Sequence, residues 1–271
     1  MDNRPIGVFD SGLGGLTAIR SLRRILPEED LIYFGDTSRV PYGNRSRETL
    51  LKYARQDVRF LRSFDLKAIL VACGTVSTTA LPDLQAENDL PILGVVEPTC
   101  LRAAAVTKAK RVGMIATQAS VRAGAYKRRL AELDGEIQVF SQSCPLFVPL
   151  VEGGRFHRGD VVIETVAREY LEPMRTLGID TLILGCTHYP LLTDIIGDIM
   201  GPDVTLVSAG EESAFALKRM LKDSGLRSGE AHQGDAAYYV SDRVESFEEI
   251  ASWFLQEDLR HEANRINIEQ Y

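Results

Sequence analysis

The chain has 271 residues, of which 45% are hydrophobic and 25% charged, and its formal net charge is −7. This composition is typical of a folded enzyme with one large or two modest cores, and it excludes a mainly disordered chain. The acidic balance, with Lys and Arg spread along the chain, argues against a nucleic-acid partner. The N-terminus lacks a basic and apolar leader, and no apolar run approaches ~20 residues, so we expect a cytoplasmic protein without membrane contact.

Short apolar runs alternate along the chain with amphipathic stretches, which predicts strands alternating with helices. The predicted strands are Ile6–Phe9, Leu31–Phe34, Ala68–Ala72, Val112–Ala116, Thr181–Leu184, Val204–Val207 and Ala237–Val240. The predicted helices include Leu16–Leu26, Arg47–Phe64 and Ser77–Asn88. Because the apolar runs are continuous, the strands are expected to be parallel and covered on both faces. The predicted fold class is therefore α/β, with mainly parallel sheets flanked by helices.

Two pairs of segments repeat along the chain. Ala68–Thr75 and Thr181–His188 each contain an apolar strand that ends in a cysteine, with a threonine just beyond it. Ile6–Ser11 likewise resembles Val112–Thr117. Together the two repeats predict two similar α/β halves related by a pseudo-two-fold axis.

The domain organisation follows from this repeat. The first predicted domain combines residues 1–97 with residues 209–271, and the second spans residues 98–208. The functional site is expected in the cleft between the two domains. The polar segment Arg260–Tyr271 is expected to form a peripheral tail.

The four cysteines are widely spaced, without the C-x-x-C pair of a zinc ribbon or a thioredoxin-type site. Cys73 and Cys186 each follow a predicted strand and precede a helix, whose N-terminal N–H groups should lower the thiol pKa from ~8.5 toward neutrality. Ligands of α/β sheets bind beyond the carboxyl ends of strands. Asp10, Cys73 and Cys186 are therefore expected to line one rim or two facing rims. Cys100 and Cys144 are interpreted as structural.

A pair of thiols suits the inversion of a stereocentre. One thiolate removes a proton from one face of a carbon, while the other thiol delivers a proton to the opposite face. Asp10 is the expected helper of Cys73, and His188 is the expected helper of Cys186. The turn Asp10–Gly15 fails the spacing of a dinucleotide fingerprint, but it can offer helix N-terminal N–H groups to a carboxylate. The residues alone thus predict acid–base exchange at one carbon.

Several blocks of the sequence jointly resemble bacterial glutamate racemases over nearly the whole chain. The blocks are Phe9–Gly15, Gly35–Thr37, Val40–Gly43, Ala72–Thr75, Cys144–Glu152 and Leu184–Pro190. The resemblance implies a homodimer whose subunits have two α/β domains, with no cofactor and no metal. It also implies interconversion of L- and D-glutamate, which supplies D-glutamate for peptidoglycan synthesis.

The same resemblance implies a role for individual residues. Cys73 would act on the D-enantiomer and Cys186 on the L-enantiomer. Asp10 and His188 would assist them, and Glu152 would lie on the Cys186 side. The residues implied to bind the substrate are Asp10, Ser11, Tyr42, Gly43, Gly74, Thr75, Thr187 and His188.

One position departs from the family pattern. Gly74 follows Cys73 where the family usually has an asparagine, whose side chain contacts the substrate. Loss of that side chain predicts weaker substrate affinity but leaves both proton carriers in place. Gly74→Asn is therefore expected to lower KM.

Three other functions remain open at the level of residues. A racemase for aspartate or a hydantoin would use the same two thiols. A thiol hydrolase would pair Cys186 with His188, although residues two apart seldom align as nucleophile and base, and Cys73 would then be unexplained. A small-molecule binding protein would tolerate Cys→Ser at both positions.

Overall fold

The computed structural model describes residues 2–229, 231–259 and 262–271, so Arg260 and His261 of the predicted tail lie outside the described residues. The strands of the described part are β1 (Ile6–Asp10), β2 (Leu31–Gly35), β3 (Ala68–Val71), β4 (Ile92–Gly94), β5 (Arg111–Ala116), β6 (Gln138–Ser143), β7 (Thr181–Leu184), β8 (Thr205–Ser208), β9 (Ala236–Val240) and β10 (Ala263–Arg265). All the strands that the apolar runs predict are present, which confirms the α/β class.

Helices flank these strands. They are α1 (Leu16–Ile25), α2 (Arg47–Leu61), α3 (Gly74–Thr79), α4 (Leu81–Glu87), α5 (Val96–Val106), α6 (Gln118–Ala123), α7 (Ala125–Leu133), α8 (Phe147–Glu152), α9 (Val161–Arg175), α10 (Thr193–Met200), α11 (Ala209–Asp223) and α12 (Val244–Leu255). Within the described ranges, none of these helices has the length and apolar character needed to cross a membrane.

The strands form two sheets in which every described strand pair is parallel. Sheet A has the order β10-β9-β2-β1-β3-β4, and sheet B has the order β6-β5-β7-β8. The order β2-β1-β3-β4 in sheet A is repeated strand for strand by sheet B. In this repeat β5 corresponds to β1 and β7 corresponds to β3, as the two pairs of repeated sequence segments predict. The pseudo-two-fold axis and the domain limits remain predictions.

The chain crosses between the sheets before and after sheet B. Helix α11 follows β8 and packs against both α1 and α5. Gly210, in the first turn of α11, allows close approach to Ala18, because a Cβ there would already lie 3.3 Å from the Ala18 Cα. The chain then adds β9 to sheet A next to β2. Sheet A is therefore built from both ends of the chain.

The strands that were not predicted are short or polar. β4 has three residues, and β6 is an edge strand whose side chains are half-buried or exposed, so neither produces a continuous apolar run. The helix predicted over Ser77–Asn88 is two helices, α3 and α4, that meet at Ala80. Pro82 lies in the first turn of α4, where its missing N–H costs nothing, and it would have broken a continuous helix.

The prediction of a peripheral C-terminal tail is wrong. This segment adds β10 to the edge of sheet A beside β9. Ile268 is buried, and the Tyr271 ring packs edge-on against Phe60 with 5.3 Å between ring centroids. An edge strand pairs on one side only and keeps polar, half-exposed side chains, so its sequence lacks the apolar run that marks a buried strand.

Candidate active site

The carboxyl ends of four strands, two from each sheet, meet around one cavity of about 370 Å³. Asp10 ends β1, and Cys73 stands two residues after the end of β3. In sheet B, Thr117 directly follows β5 and Cys186 stands two residues after β7. The cavity thus occupies the position where α/β sheets bind ligands, and its size suits a small molecule.

The predicted site residues come together at this cavity. Those that line it are Ser11, Tyr42, Gly43, Cys73, Gly74, Thr75, Glu152, Cys186, Thr187 and His188. Asp10 is the exception, because it is fully buried behind the cavity wall. Residues from both sheets therefore contribute to one site.

Three free cysteines line this cavity, and two of them, Cys73 and Cys186, are the predicted proton carriers. The Cys73 Sγ lies 3.7 Å from the Ser11 Oγ, and the Cys186 Sγ lies 3.9 Å from the His188 Nδ1. All four cysteines are free. No group of His, Cys, Asp and Glu side chains among the described residues could hold a metal ion. The cavity itself offers thiols with polar neighbours, groups that can transfer protons.

Residues 13–214 match the sequence profile of the family described as Asp/Glu/Hydantoin racemase. The chain belongs to this racemase family. A glutamate racemase of Geobacter metallireducens is 44% identical over 252 residues, which cover 93% of each chain. Crystal structures of glutamate racemases from Bacillus anthracis and, with D-glutamate, from Francisella tularensis give TM-scores of 0.92 and 0.91. Both are 36% identical to this chain, with 98% and 100% of each chain covered. The resemblance found in the sequence is confirmed, and the enzyme class is an isomerase that racemises an amino acid.

On the Cys186 side of the racemase site, His188 connects the thiol to Glu152. The His188 Nδ1 faces Cys186, and the Nε2 lies 2.8 Å from the Glu152 Oε1. Burial alone would lower the pKa of His188, but hydrogen bonds to Cys186 and Glu152 and their negative charges raise the pKa to about 10. The Phe254 ring packs edge-on against the imidazole, with 5.4 Å between centroids. At neutral pH the imidazole is therefore charged and held beside the thiol.

Cys73 lies in a different electrostatic environment. Burial and the charge of Asp10 raise the pKa of the Cys73 thiol to about 12, against smaller lowering effects of the Val76 N–H and the Ser11 hydroxyl. The prediction that a helix N-terminus brings this pKa toward neutrality is wrong, because desolvation outweighs the field of the six-residue helix α3. At neutral pH the Cys73 thiol is therefore protonated.

Asp10 is fully buried at the end of β1. Its Oδ2 accepts hydrogen bonds from the N–H groups of Gly12 at 3.3 Å and Gly15 at 2.9 Å, in the turn that leads into α1. Burial raises the pKa of Asp10, and the positive charge of His188 and these N–H groups partly offset that rise. Its Oδ1 has no hydrogen-bond partner among the described residues. Asp10 therefore keeps one buried acceptor oxygen available.

The two cysteines do not share the same local structure, contrary to the prediction. Cys73 directly precedes α3 and occupies its N-cap position. Cys186 instead precedes a turn and a short 3-10 helix at Tyr189–Leu192. The charged His188 therefore provides at Cys186 the positive potential that a helix N-terminus was expected to provide.

Tyr42 lines the cavity, but its hydroxyl is engaged in a buried cluster. The hydroxyl donates to Asp36 and lies 3.3 Å from the Asp57 Oδ2. Arg39 is buried between the same carboxylates, with its Nε 2.5 Å from the Asp36 Oδ2 and its Nη2 3.1 Å from the Asp57 Oδ1. No pattern in the sequence indicated this cluster. It anchors the loop 40–43, which forms one wall of the cavity.

Thr117 is a cavity residue that the sequence analysis missed. Its Oγ1 lies 3.0 Å from the Thr75 Oγ1, so a hydrogen bond joins the two halves inside the cavity wall. The internal repeat aligns Thr117 with Ser11, and that alignment was the available signal. Cys144, interpreted as structural, also lines the cavity and is almost fully buried.

Gly74 packs against the backbone of the opposite half. A Cβ at this position would lie 2.5 Å from the carbonyl oxygen of Gly185. The loop that carries Cys73 and the loop that carries Cys186 therefore touch backbone to backbone. The expectation that Gly74→Asn simply adds a substrate contact is inconsistent with this packing, because the new side chain has no room unless the loops move apart.

Proposed function

We propose that this chain is a glutamate racemase that interconverts L- and D-glutamate by proton transfer between the substrate Cα and two thiols, Cys73 and Cys186. The observation that carries the proposal is the position of these free thiols, which follow the corresponding strands β3 and β7 and line one cavity. Relatives named glutamate racemase that match over nearly the whole chain support the choice of substrate.

In the proposed reaction, one thiolate takes the Cα proton from one face of the substrate. The electron pair left on Cα then takes a proton from the thiol on the opposite face. Cys73 is the base toward D-glutamate, and Cys186 is the base toward L-glutamate. Each turnover thus inverts the carbon and exchanges the protonation states of the two cysteines.

The neighbours of each thiol support this division of roles. The charged imidazole of His188 lies beside the Cys186 thiol, and Glu152 helps to keep that imidazole charged and oriented. At Cys73 the buried acceptor oxygen of Asp10 can take the thiol proton before D-glutamate is attacked. In this proposal the positive charge of His188 assists Cys186, and the carboxyl group of Asp10 assists Cys73.

The substrate carboxylates would be bound by neutral donors. Hydroxyls of Ser11, Thr75 and Thr187 line the cavity together with the backbone of Gly43. Neutral hydroxyl and amide donors can replace the water around a carboxylate without adding a buried charge. This arrangement explains how an acidic protein would hold an acidic substrate.

The remaining parts of the proposal concern the cellular setting and the assembly. We propose that the D-glutamate formed serves peptidoglycan synthesis, and that the enzyme is a cytoplasmic homodimer. The division into domains 1–97 with 209–271 and 98–208 is part of the same proposal. It is supported by the repeated strand order and by the location of the cavity between the two sheets.

Racemisation in D₂O, followed by circular dichroism and mass spectrometry, tests the two-thiol mechanism. The product enantiomer is expected to carry deuterium at Cα while the unreacted substrate stays protiated early in the reaction. Equal early labelling of both enantiomers would indicate a single base and overturn the mechanism. Activity toward aspartate without activity toward glutamate would overturn the assignment of glutamate as the substrate.

Serine variants provide the matched test of the residues. Cys73→Ser and Cys186→Ser are each expected to lower kcat by about 10³-fold or more, because a serine hydroxyl is a far weaker acid than a thiol. Cys100→Ser is the control, since Cys100 is buried away from the cavity. Near-normal activity of either cavity variant would contradict the assigned roles.

A further inference from the structure

The turn that leads from β1 into α1 packs directly against the Cys186 loop (residues 185–189). A Cβ at Gly14 would collide with the Thr187 Oγ1 and would lie 2.5 Å from the His188 Nδ1. A glycine at this position therefore lets the backbone of the turn lie against the imidazole. Because the two segments follow β1 and β7, which belong to different sheets, their contact must be held by groups outside the sheets.

Thr17, in the first turn of α1, makes a hydrogen bond that joins these two segments. Its side chain is buried, and its Oγ1 lies 2.9 Å from the carbonyl oxygen of Gly14 and 2.9 Å from that of Thr187. A hydroxyl has one proton to donate. The Gly14 carbonyl already accepts the N–H of Thr17 at 3.0 Å, so the hydroxyl proton is available to the Thr187 carbonyl of the other half.

The Thr187 carbonyl has no donor within its own loop. The carbonyls on either side of it, those of Cys186 and His188, accept N–H groups from three residues further on, at 3.1 and 3.2 Å. The corresponding donor for Thr187 would be Pro190, which has no N–H. No other hydrogen bond to this carbonyl is found among the residues that the structure describes. Since a buried carbonyl without a partner is costly, the Thr17 hydroxyl supplies the donor that the proline lacks.

We propose that Thr17 is a positioning residue of the racemase site, whose hydroxyl holds the Cys186 loop against the turn between β1 and α1. The same turn donates N–H groups to Asp10. A single turn of the first half would thus fix Asp10 directly and His188 through Thr17. This inference rests on the proposed function, because it gives Thr17 a part in the reaction of those residues.

A loop that is no longer held should be visible in the titration of His188. Burial lowers the pKa of this imidazole, whereas hydrogen bonds to Cys186 and Glu152 and their negative charges raise the pKa to about 10. Both effects weaken when the loop moves, so the pKa should shift toward the ordinary value of about 6.5. Thr17→Val, which replaces the hydroxyl by a methyl group, is expected to lower the His188 pKa by about one unit. It should also lower kcat about tenfold, because the Cys186 thiol is less well placed.

NMR titration of the histidine-labelled full-length protein measures this pKa, and racemisation assays measure kcat. The chain has four histidines, and the His188 signal is the one missing from His188→Asn. Thr17→Ser keeps the hydroxyl and should retain kcat within about twofold. The matched control is Thr107→Val, because the buried Thr107 hydroxyl bonds Asp180 at 2.6 Å, just before β7 and at the opposite end of sheet B from the cavity. The control should keep both the His188 pKa and kcat.

A second variant tests the missing donor directly. Pro190→Ala supplies an N–H at the position that faces the Thr187 carbonyl, so Thr17→Val should lower kcat less in that background than in the unmodified protein. Thr17→Ala, which needs no more room than threonine, gives the same comparisons should Thr17→Val not fold.

The outcomes separate a positioning role from a structural one. If Thr17→Val unfolds at lower urea concentration but keeps kcat and the His188 pKa, Thr17 only stabilises the fold and the proposal is overturned. An equal loss of kcat with and without Pro190→Ala would also overturn it. If the unmodified protein shows no activity toward glutamate, the proposed function fails, while the titration of His188 still decides whether Thr17 holds the loop.

Discussion

Gly74→Ala tests whether the two thiol-bearing loops are held together by direct backbone contact. The added Cβ would lie 2.5 Å from the Gly185 carbonyl oxygen and 3.5 Å from the carbonyl carbon. Carbon and carbonyl oxygen atoms approach to about 3.3 Å, so the loops must separate by about 0.8 Å. The obstacle is backbone rather than a flexible side chain, so no rotamer change can relieve it.

The consequences of this displacement can be given a size. Overpacking by one methyl group in a tight site costs about 1–3 kcal/mol of the free energy of unfolding. A shift approaching 1 Å in the position of catalytic groups can cost about 10²-fold in rate. We therefore expect Gly74→Ala to be less stable by about 1–2 kcal/mol. We also expect it to lose about 10- to 100-fold in kcat, because the thiols no longer flank Cα at the same separation.

Circular dichroism assays in both reaction directions measure kcat and KM, and urea denaturation measures stability. Gly135→Ala is the matched control, because the nearest atom to a Cβ there is the Ala131 carbonyl oxygen at 4.0 Å. The control should match the unmodified protein in both measurements. If Gly74→Ala also matched it, the loops would not be in close contact. If instead Gly74→Asn lowered KM, a substrate contact would outweigh the steric cost.

Three further substitutions test the surroundings of the thiols. Glu152→Gln removes a charge that raises the His188 pKa, so the pKa of His188 should fall from about 10 toward 6.5. The alkaline limb of the pH profile with L-glutamate should then move to lower pH, and kcat/KM should fall about tenfold or more. The His188 pKa is higher in the folded state than in the unfolded state, so the charged histidine stabilises the fold fully below about pH 6.5 and loses that contribution as the pH rises through about 10. Urea denaturation at pH 8 should therefore show that the Glu152→Gln variant is less stable than the unmodified protein. Equal stability would contradict the assignment of a charged His188. Arg39→Leu leaves two buried carboxylates without a cation and should cost about 3–5 kcal/mol by the same measurement, whereas a loss below about 1 kcal/mol would contradict the cluster's role. Cys144→Ser should keep kcat within about twofold, and a hundredfold loss would make it a third proton carrier.

The central strands could be predicted because a strand that is buried on both faces consists of a continuous run of apolar residues. β1, β3, β5 and β7 are continuous apolar runs, and each is fully or almost fully buried. β6 and β10 lie at sheet edges, where one side of the strand is unpaired and the side chains remain polar. Their pairing is decided by tertiary contacts, which no local pattern records.

The site was predictable to the extent that it depends on strand ends. Cys73 and Cys186 follow strands that the repeat had already aligned, so their convergence follows from topology. The raised pKa of Cys73 depends on burial by surrounding elements. The position of the Tyr42 hydroxyl depends on the carboxylates of Asp36 and Asp57. The contact between Gly74 and Gly185 joins residues more than a hundred positions apart. These features arise only when the halves pack together.

The two halves repeat the same strand order but surround their thiols with opposite charges. Cys73 has the carboxyl group of Asp10 behind it, whereas Cys186 has the charged imidazole of His188 beside it. A racemase with two identical thiol environments would have no preferred protonation state at rest. Here burial and Asp10 keep the Cys73 thiol protonated at neutral pH, so in the proposed reaction Cys73 is the proton donor when L-glutamate is the substrate. In the proposed reaction, Asp10 takes the proton that the thiol gives up when D-glutamate is the substrate. In the proposed reaction, this chemical asymmetry between topologically equivalent positions sets the protonation state in which the cavity first meets its substrate.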